Sequence, residues 1–214
     1  MSKFLAPIHT WIFNKIKFYE NLEANLVEAY TKQYGEEVSS LYNELIEKYG
    51  HPLEENPIEE LIDVSNIHGW LQNKITIAET RQAALLTKLI DKYGEEVKNI
   101  ALKLYAQQGS KCGKESKDKH SVTNASIIYK ALNDYILEGM PCDRVNNITE
   151  STEDKIEWVN EMCLHKGYWD AVDGDVNLFY ELRDAWIKSF VENINDNFSY
   201  IPYRDRATFE IVKN

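Results

Sequence analysis

The chain has 214 residues, 43% hydrophobic and 28% charged, with a net charge of -11. Those proportions are ordinary for a soluble globular protein, and the length suffices for one domain with a sizeable core. The acidic balance argues against a nucleic-acid partner; no apolar run of about 18 residues is available to span a membrane; and the opening "MSKFLAPIHTWIFNKIK", broken by Pro7, His9, Asn14 and Lys15, does not read as a signal peptide.

In chain order, Ile8, Trp11, Ile12, Ile16, Tyr19, Leu22, Leu26 and Tyr30 recur at steps of three and four, which predicts a helix from about Pro7 to Gln33 with Gly35 just past its end. Val38, Leu41, Leu45 and Ile46 continue the pattern in a second helix, stopped by Gly50 and Pro52. Asn56 and Pro57 suit the start of a short helix ending near Gly69. Ile75, Ala78, Leu85, Leu89 and Ile90 mark a long helix stopped at Gly94, and another follows, stopped at Gly109. The stretch from Ser110 to His120, with Lys111, Lys114, Lys117 and Lys119 against Glu115 and Asp118, reads as a solvated basic loop.

Tyr-Gly-Glu-Glu-Val occurs twice, from Tyr34 and from Tyr93. In each copy a Tyr closes one helix, a Gly can turn left-handed without steric cost, and two glutamates open the next helix, where its dipole favours negative charge. The repeat therefore reads as scaffold. Glu36, Glu37, Glu95 and Glu96 lack the Glu-x-x-His company that a carboxylate di-iron centre needs.

Ile127, Ile128, Leu132, Tyr135 and Ile136 predict a further helix closed by Gly139. From 144 to 167 two readings stand side by side. Ser151 with Asp154 could cap a helix ending at Gly167. Alternatively "RVNNITES" and "KIEWVNEMCL" are strands, with Ile156, Trp158, Met162 and Leu164 on one face by strict alternation. A helix from Asp175 to Asp196 places Leu178, Phe179, Leu182, Trp186 and Phe190 inward, and "FSYIPYR" and "ATFEIVK" close the chain as a strand pair. The fold class is thus α+β: antiparallel helices in the N-terminal half, packed on a small antiparallel sheet from the C-terminal half. Residues 1–70 read as a helical extension, and 71–214 as the α+β domain.

Three widely separated cysteines, Cys112, Cys142 and Cys163, fit a reducing cytoplasm, and no pair has zinc-motif spacing. The densest chemistry is "EMCLHKGYWD". On a strand, Cys163 and His165 would share a face, and a thiol beside an imidazole can be activated as a thiolate. The alternative is a small buried thiol near a surface His. His51, His68 and His120 read as structural or solvated. Arg183 falls inside the apolar arc of its helix, so it must snorkel, pair, or bind an anion. Arg204 and Arg206, between the closing strands, are similar candidates, and Asp184 with Lys188 is an ordinary helix-surface pair. The many aromatics, among them Trp158 and Trp186, suit core or pocket walls.

"LLTKLIDKYGEEVKNIALKLYAQQGSKCGK" and "ITESTEDKIEWVNEMCLHKG … LRDAWIKSFVENINDNFSYIPYRDRATFEIVK" resemble the L-2-amino-thiazoline-4-carboxylic acid hydrolase family of bacterial proteins, over roughly residues 77–214. The resemblance implies strands around Trp158 and a hydrolase acting on a small heterocyclic or amidine-type carboxylate; no cofactor and no metal ligand is assigned from the sequence. It maps the family's Cys to Cys163 and its helical Asp to Asp184; for such a reaction this sequence then offers Cys163 as nucleophile, His165 as base or acid, Asp184 as orienting acid, and Arg183 or Arg204 as carboxylate clamp, with Trp158 and Trp186 against the substrate. The family has Pro where Leu164 stands, and further cysteines where this chain has residues such as Leu182 and Thr208. Those departures leave two other classes open: a non-catalytic ligand-binding or sensing domain, and a helical interaction module built on the acidic stretch from Glu36 to Asp63. The expected partner is a small-molecule substrate or ligand, not nucleic acid or membrane, and a homodimer is left open.

Overall fold

The computed structural model describes residues 5–119 and 121–214, so the reading of His120 lies outside the described residues. The chain divides into two units, residues 1–100 with 165–176, and residues 101–164 with 177–214.

The first unit is helical. It holds α1 (Pro7–Tyr34), α2 (Glu37–Tyr49), a single turn α3 (Ile58–Leu61), α4 (Ile67–Tyr93), the start of α5 (Glu95–Lys119) and a short α7 (Lys166–Asp170). Ile12, Ile16, Leu22, Leu26 and Tyr30 form the buried stripe of α1, whereas Ile8 is 44% exposed. Gly35 and Gly94 end α1 and α4 at φ of 93° and 74°, the left-handed region expected of them. The segment expected to be one helix from Pro57 to Gly69 is two. The first ends at Leu61, and α4 begins at Ile67, where the Asn66 side chain accepts from the Gly69 N–H as N-cap.

The pentapeptide repeat is the end of a longer one. Ile-His-x-Trp-x-x-Asn-Lys-Ile stands at 8–16 and again at 67–75, with the 59-residue spacing that also separates Tyr34 from Tyr93. Equivalent residues touch each other. The rings of His9 and His68 are 5.4 Å apart, and those of Tyr34 and Tyr93 stack at 4.0 Å and 4°. Contact between equivalents at both ends means that α1 and α4 lie parallel about an internal pseudo-twofold axis. Val38 and Val97 are buried equivalents on the helices that follow.

In the second unit a four-stranded antiparallel sheet has the order β1-β2-β4-β3, from β1 (Asn146–Ser151), β2 (Lys155–Asn160), β3 (Phe198–Tyr203) and β4 (Thr208–Lys213). The strand reading is therefore the one adopted, as an α+β fold. Period-2 alternation puts Ile156, Trp158, Phe209, Ile211 and Tyr200 on the buried face, with Trp158 opposite Phe209 and Ile156 opposite Ile211. On the other face Lys155 bridges Glu150, Glu157 and Glu210 at 3.0–3.1 Å. α6 (Ala125–Asn133) is capped by Asn124 and stops well short of Gly139. α8 (Val176–Ile194) runs as expected.

The basic segment is not a loop: α5 runs through Gly109 and Gly113 to Lys119. A Cβ at Gly109 would lie 2.2 Å from the Trp186 carbonyl oxygen, and one at Gly113 2.4 Å from that of Phe190. These glycines let α5 and α8 approach backbone to backbone. A residue type that usually ends helices is here a packing surface.

Candidate functional site

Cys163 and His165 do not look out from one strand. β2 ends at Asn160, so the alternation expected to carry both side chains stops before either, and Met162 is 49% exposed instead of sharing the inward face of Trp158. Cys163 belongs to the second unit and is exposed; the Tyr180 hydroxyl lies 2.9 Å from its Sγ. His165 belongs to the first unit, immediately before α7, and is fully buried. Its Nδ1 is 2.7 Å from the Glu79 carboxylate, which is also buried. His51 and His68 are exposed, as expected of them.

The first unit gathers further charge in its interior. Arg81, fully buried, sends Nε to Glu23 at 3.0 Å, one terminal nitrogen to Glu20 at 3.0 Å and the other to the Gly50 carbonyl at 2.8 Å. Glu20 also accepts from the Leu53 N–H. Burial pushes Glu23 above the usual carboxylate range, against the opposing pull of Arg81. The network ties α1, α4 and the segment after α2 together, and every charge in it has a partner.

The second unit holds a cleft between the buried sheet face and α6 and α8. Trp158, Tyr129, Tyr200 and Phe209 wall it, and Arg183, Tyr180, Asn146 and Asn160 reach it. Its enclosed cavity is about 20 Å³, within about 370 Å³ of open space counted out to the mouth. Asn146 and Asn160 are directly opposed on β1 and β2, a pairing that sets their Cβ atoms about 5 Å apart. The Oδ1 atom of each is buried and accepts no hydrogen bond. Burial raises the Tyr129 phenol above its ordinary value, while hydrogen bonds from Asn133 and Asn146 and the nearby Arg183 charge pull the other way.

Of the residues singled out in the sequence, Arg183 and Trp158 meet in this cleft. Arg183 both pairs, with Glu138, and lies over the Phe179 ring at 5.8 Å. Asp184 is not a surface partner of Lys188. It is nearly buried, accepts from the Tyr200 hydroxyl at 2.7 Å and from Arg204 Nε at 2.6 Å, and so fixes one wall of the cleft. Tyr200 is raised well above its ordinary value, by burial and then by the Asp184 charge. Trp186 faces elsewhere, donating its indole N–H to Gln108 at 2.9 Å and stacking on Phe190. Arg206 is exposed beside Asp205.

Sequence reasoning passed over Asn146, Asn160, Tyr129 and Tyr180. Their convergence depends on strand register and on how α6 and α8 cross the sheet, which no local pattern encodes. Among the described residues no group of three or more His, Cys, Asp or Glu side chains could hold a metal ion. Compared with family models, with curated proteins and with solved structures, the chain finds no match.

Proposed function

We propose that the second unit is a small-ligand-binding module, and that its cleft takes a small carboxylate bearing an amidine- or isothiourea-type N–H edge. One observation carries this reading: the paired, buried Oδ1 atoms of Asn146 and Asn160, neither of which accepts a hydrogen bond. An unsatisfied buried acceptor costs about 1–3 kcal/mol, and two adjacent N–H groups of a ligand would recover that at both sites. Arg183 supplies the cation for the carboxylate while Glu138 holds its other side. The rings of Trp158 and Tyr129, 4.8 Å apart, offer faces to a planar heterocycle. The enclosed room is water-sized, so a ring enters only as the side chains at the mouth give way. This ligand chemistry is the one implied by the resemblance to L-2-amino-thiazoline-4-carboxylic acid hydrolases.

Turnover is a second reading, and Tyr180 favours it: the residue both lines the cleft and contacts Cys163. In a hydrolysis the ring carbon between nitrogen and sulfur gains an oxygen from water, its bond to sulfur breaks, and the sulfur leaves as a thiol. Cys163, beside Tyr180, would first bond the ring carbon and expel the ring sulfur, which takes a proton to become the thiol; water would then add its oxygen to that carbon and release Cys163 as a free thiol, with Asp184 positioning Tyr200. His165, held by Glu79, is left without an evident part in that step.

Calorimetric titration with L-2-amino-thiazoline-4-carboxylate tests both readings. Saturable binding weakened at least about tenfold in Asn146→Ala and in Asn160→Ala, a loss of about 1.4 kcal/mol, is expected. Absence of binding to this compound and to simple amidine carboxylates would sink the ligand reading. Release of a new thiol, abolished by Cys163→Ala with binding retained, would establish turnover; binding without thiol release leaves a non-catalytic module.

A further inference from the structure

Two of the cysteines in the second unit, Cys142 and Cys163, are exposed, and the fold sets both at the same end of one hairpin. β1 and β2 run antiparallel, and Asn146 opposite Asn160 is the last pair of their register at the cleft end. Backbone contact carries one step further, where the Glu161 N–H donates to the Val145 carbonyl at 2.9 Å. Past that step stand Cys142, in a 3₁₀ turn at Pro141–Asp143, and Cys163, in the segment that follows β2.

A second contact ties the same two segments from the other side. Gly139 lies so close to the Leu164 side chain that a Cβ on it would come within 2.3 Å. Cys142 is therefore bracketed. Before it, Gly139 meets Leu164, the residue after Cys163; behind it, Val145 meets Glu161, shortly before Cys163. A disulfide needs Cα atoms within about 7 Å. The turn that carries Cys142 is closed by bonds within itself, Asp143 N–H to the Met140 carbonyl and Met140 N–H to the Asp143 carboxylate, and Arg144 leaves it in the left-handed region at φ 49°. The turn lies outside the strand ladder, so moving Cys142 onto Cys163 breaks no pairing of β1 with β2. On the far side of Cys163, the Tyr180 hydroxyl that contacts Sγ at 2.9 Å belongs to a residue that lines the cleft.

We propose that Cys142 and Cys163 are a redox pair, closed to a disulfide by a hydroperoxide, and that the bond governs entry to the cleft. An accessible thiol beside a second one is the arrangement in which oxidation stops reversibly at a disulfide. The Cys163 sulfur bonds one peroxide oxygen, the O–O bond breaks, and the other oxygen leaves as an alcohol with the thiol proton. Cys142 then attacks the sulfenic sulfur; the S–S bond forms, the S–O bond breaks, and the hydroxyl leaves as water with the second thiol proton. Two thiols lose two electrons and one hydroperoxide gains them. Closure draws Sγ off Tyr180 and pins the hairpin end that carries Asn146 and Asn160. The enclosed room is water-sized, so a pinned mouth shuts out a ring. The effect on a ligand rests on the ligand reading above; the bond itself does not.

The test treats the full chain with tert-butyl hydroperoxide and maps its peptides without reduction. Expected is one linked pair, Cys142 with Cys163 of the same chain, lighter by two hydrogens and reopened by dithiothreitol, with Cys112 still a thiol. In Cys142→Ser, Cys163 should stop at the sulfenic acid and be trapped by dimedone. Closure should shift the side-chain amide resonances of Asn146 and Asn160. Where L-2-amino-thiazoline-4-carboxylate binds the reduced protein, closure should weaken it at least about tenfold. Thiols that stay reduced, separate over-oxidation of the two, or links only between chains would overturn the redox pair. Amide resonances unmoved by closure would overturn its control of the cleft. Linkage and resonances are read with no ligand present, so a failure of the ligand reading leaves both decisive, and the unaltered chain decides even if the variant does not fold.

Discussion

The two units differ in how their buried charged and amide side chains are met. In the helical unit Arg81 is sealed from water, yet Glu20, Glu23 and the Gly50 carbonyl use its guanidinium on every side. His165 and Glu79 likewise satisfy each other. In the sheet unit Asn146 and Asn160 are set side by side with acceptors that nothing meets. Matched buried charge joins helices in the first unit, where the Tyr34 and Thr87 hydroxyls are nevertheless buried without a partner; the opposed asparagine acceptors differ in lining a cleft.

The sharpest way to break that contrast is to remove the cation from the matched network. Arg81→Met should cost about 3–5 kcal/mol in chemical denaturation, because two carboxylates are left buried without a partner. A cost below 1 kcal/mol would mean that water reaches them. Next in size, Gly109→Ala should cost about 1–3 kcal/mol, since its methyl group meets the Trp186 carbonyl. Asn146→Leu, in contrast, should leave unfolding free energy within about 1 kcal/mol of the parent, as removing an unsatisfied acceptor removes its desolvation cost, while abolishing ligand binding in the cleft.

Thiol chemistry separates the cysteines within the sheet unit. Burial, reinforced by Glu115, pushes Cys112 up to about 12, so it stays a protonated and shielded thiol. A chromogenic disulfide should titrate the exposed Cys142 and Cys163 in the native protein and Cys112 only after unfolding. A ligand in the cleft should slow Cys163 through Tyr180. The smallest effect is on pH. Burial, and then the neighbouring His68, lower His9 from 6.5, and its Nδ1 accepts from the Ala6 N–H. The unfolded chain therefore binds more protons in the window just below pH 6.5, so stability falls as pH drops through that window. His9→Gln should flatten that slope.

Much of the helical unit was legible because its signals are local. The stripe from Ile12 to Tyr30, the left-handed Gly35 and Gly94, and the N-terminal glutamates each act within a turn or two of helix. The closing strands β3 and β4 were legible for the same reason. Gly109 was misread because the local meaning of glycine is helix termination, whereas its role is set by α8, about 75 residues further on. The alternation around Trp158 competed with a capping signal at Ser151 until pairing with β1 and β4 on both sides of β2 decided it. Arg183 could be recognised as a cation needing a partner, but Glu138 could not be named. The opposed Asn146 and Asn160 were invisible, since a shift of one residue in register would send them to opposite faces. The longer duplication is fully present in the sequence, at the 59-residue spacing that the two Tyr-Gly-Glu-Glu-Val copies already set.

The most direct test of the ligand cleft is to follow the side-chain amide resonances of Asn146 and Asn160 while L-2-amino-thiazoline-4-carboxylate is added. Both should shift together along one saturable curve, with Arg183 and the Trp158 indole following. Amide signals that stay fixed while resonances elsewhere move would contradict the account and return both asparagines to the scaffold.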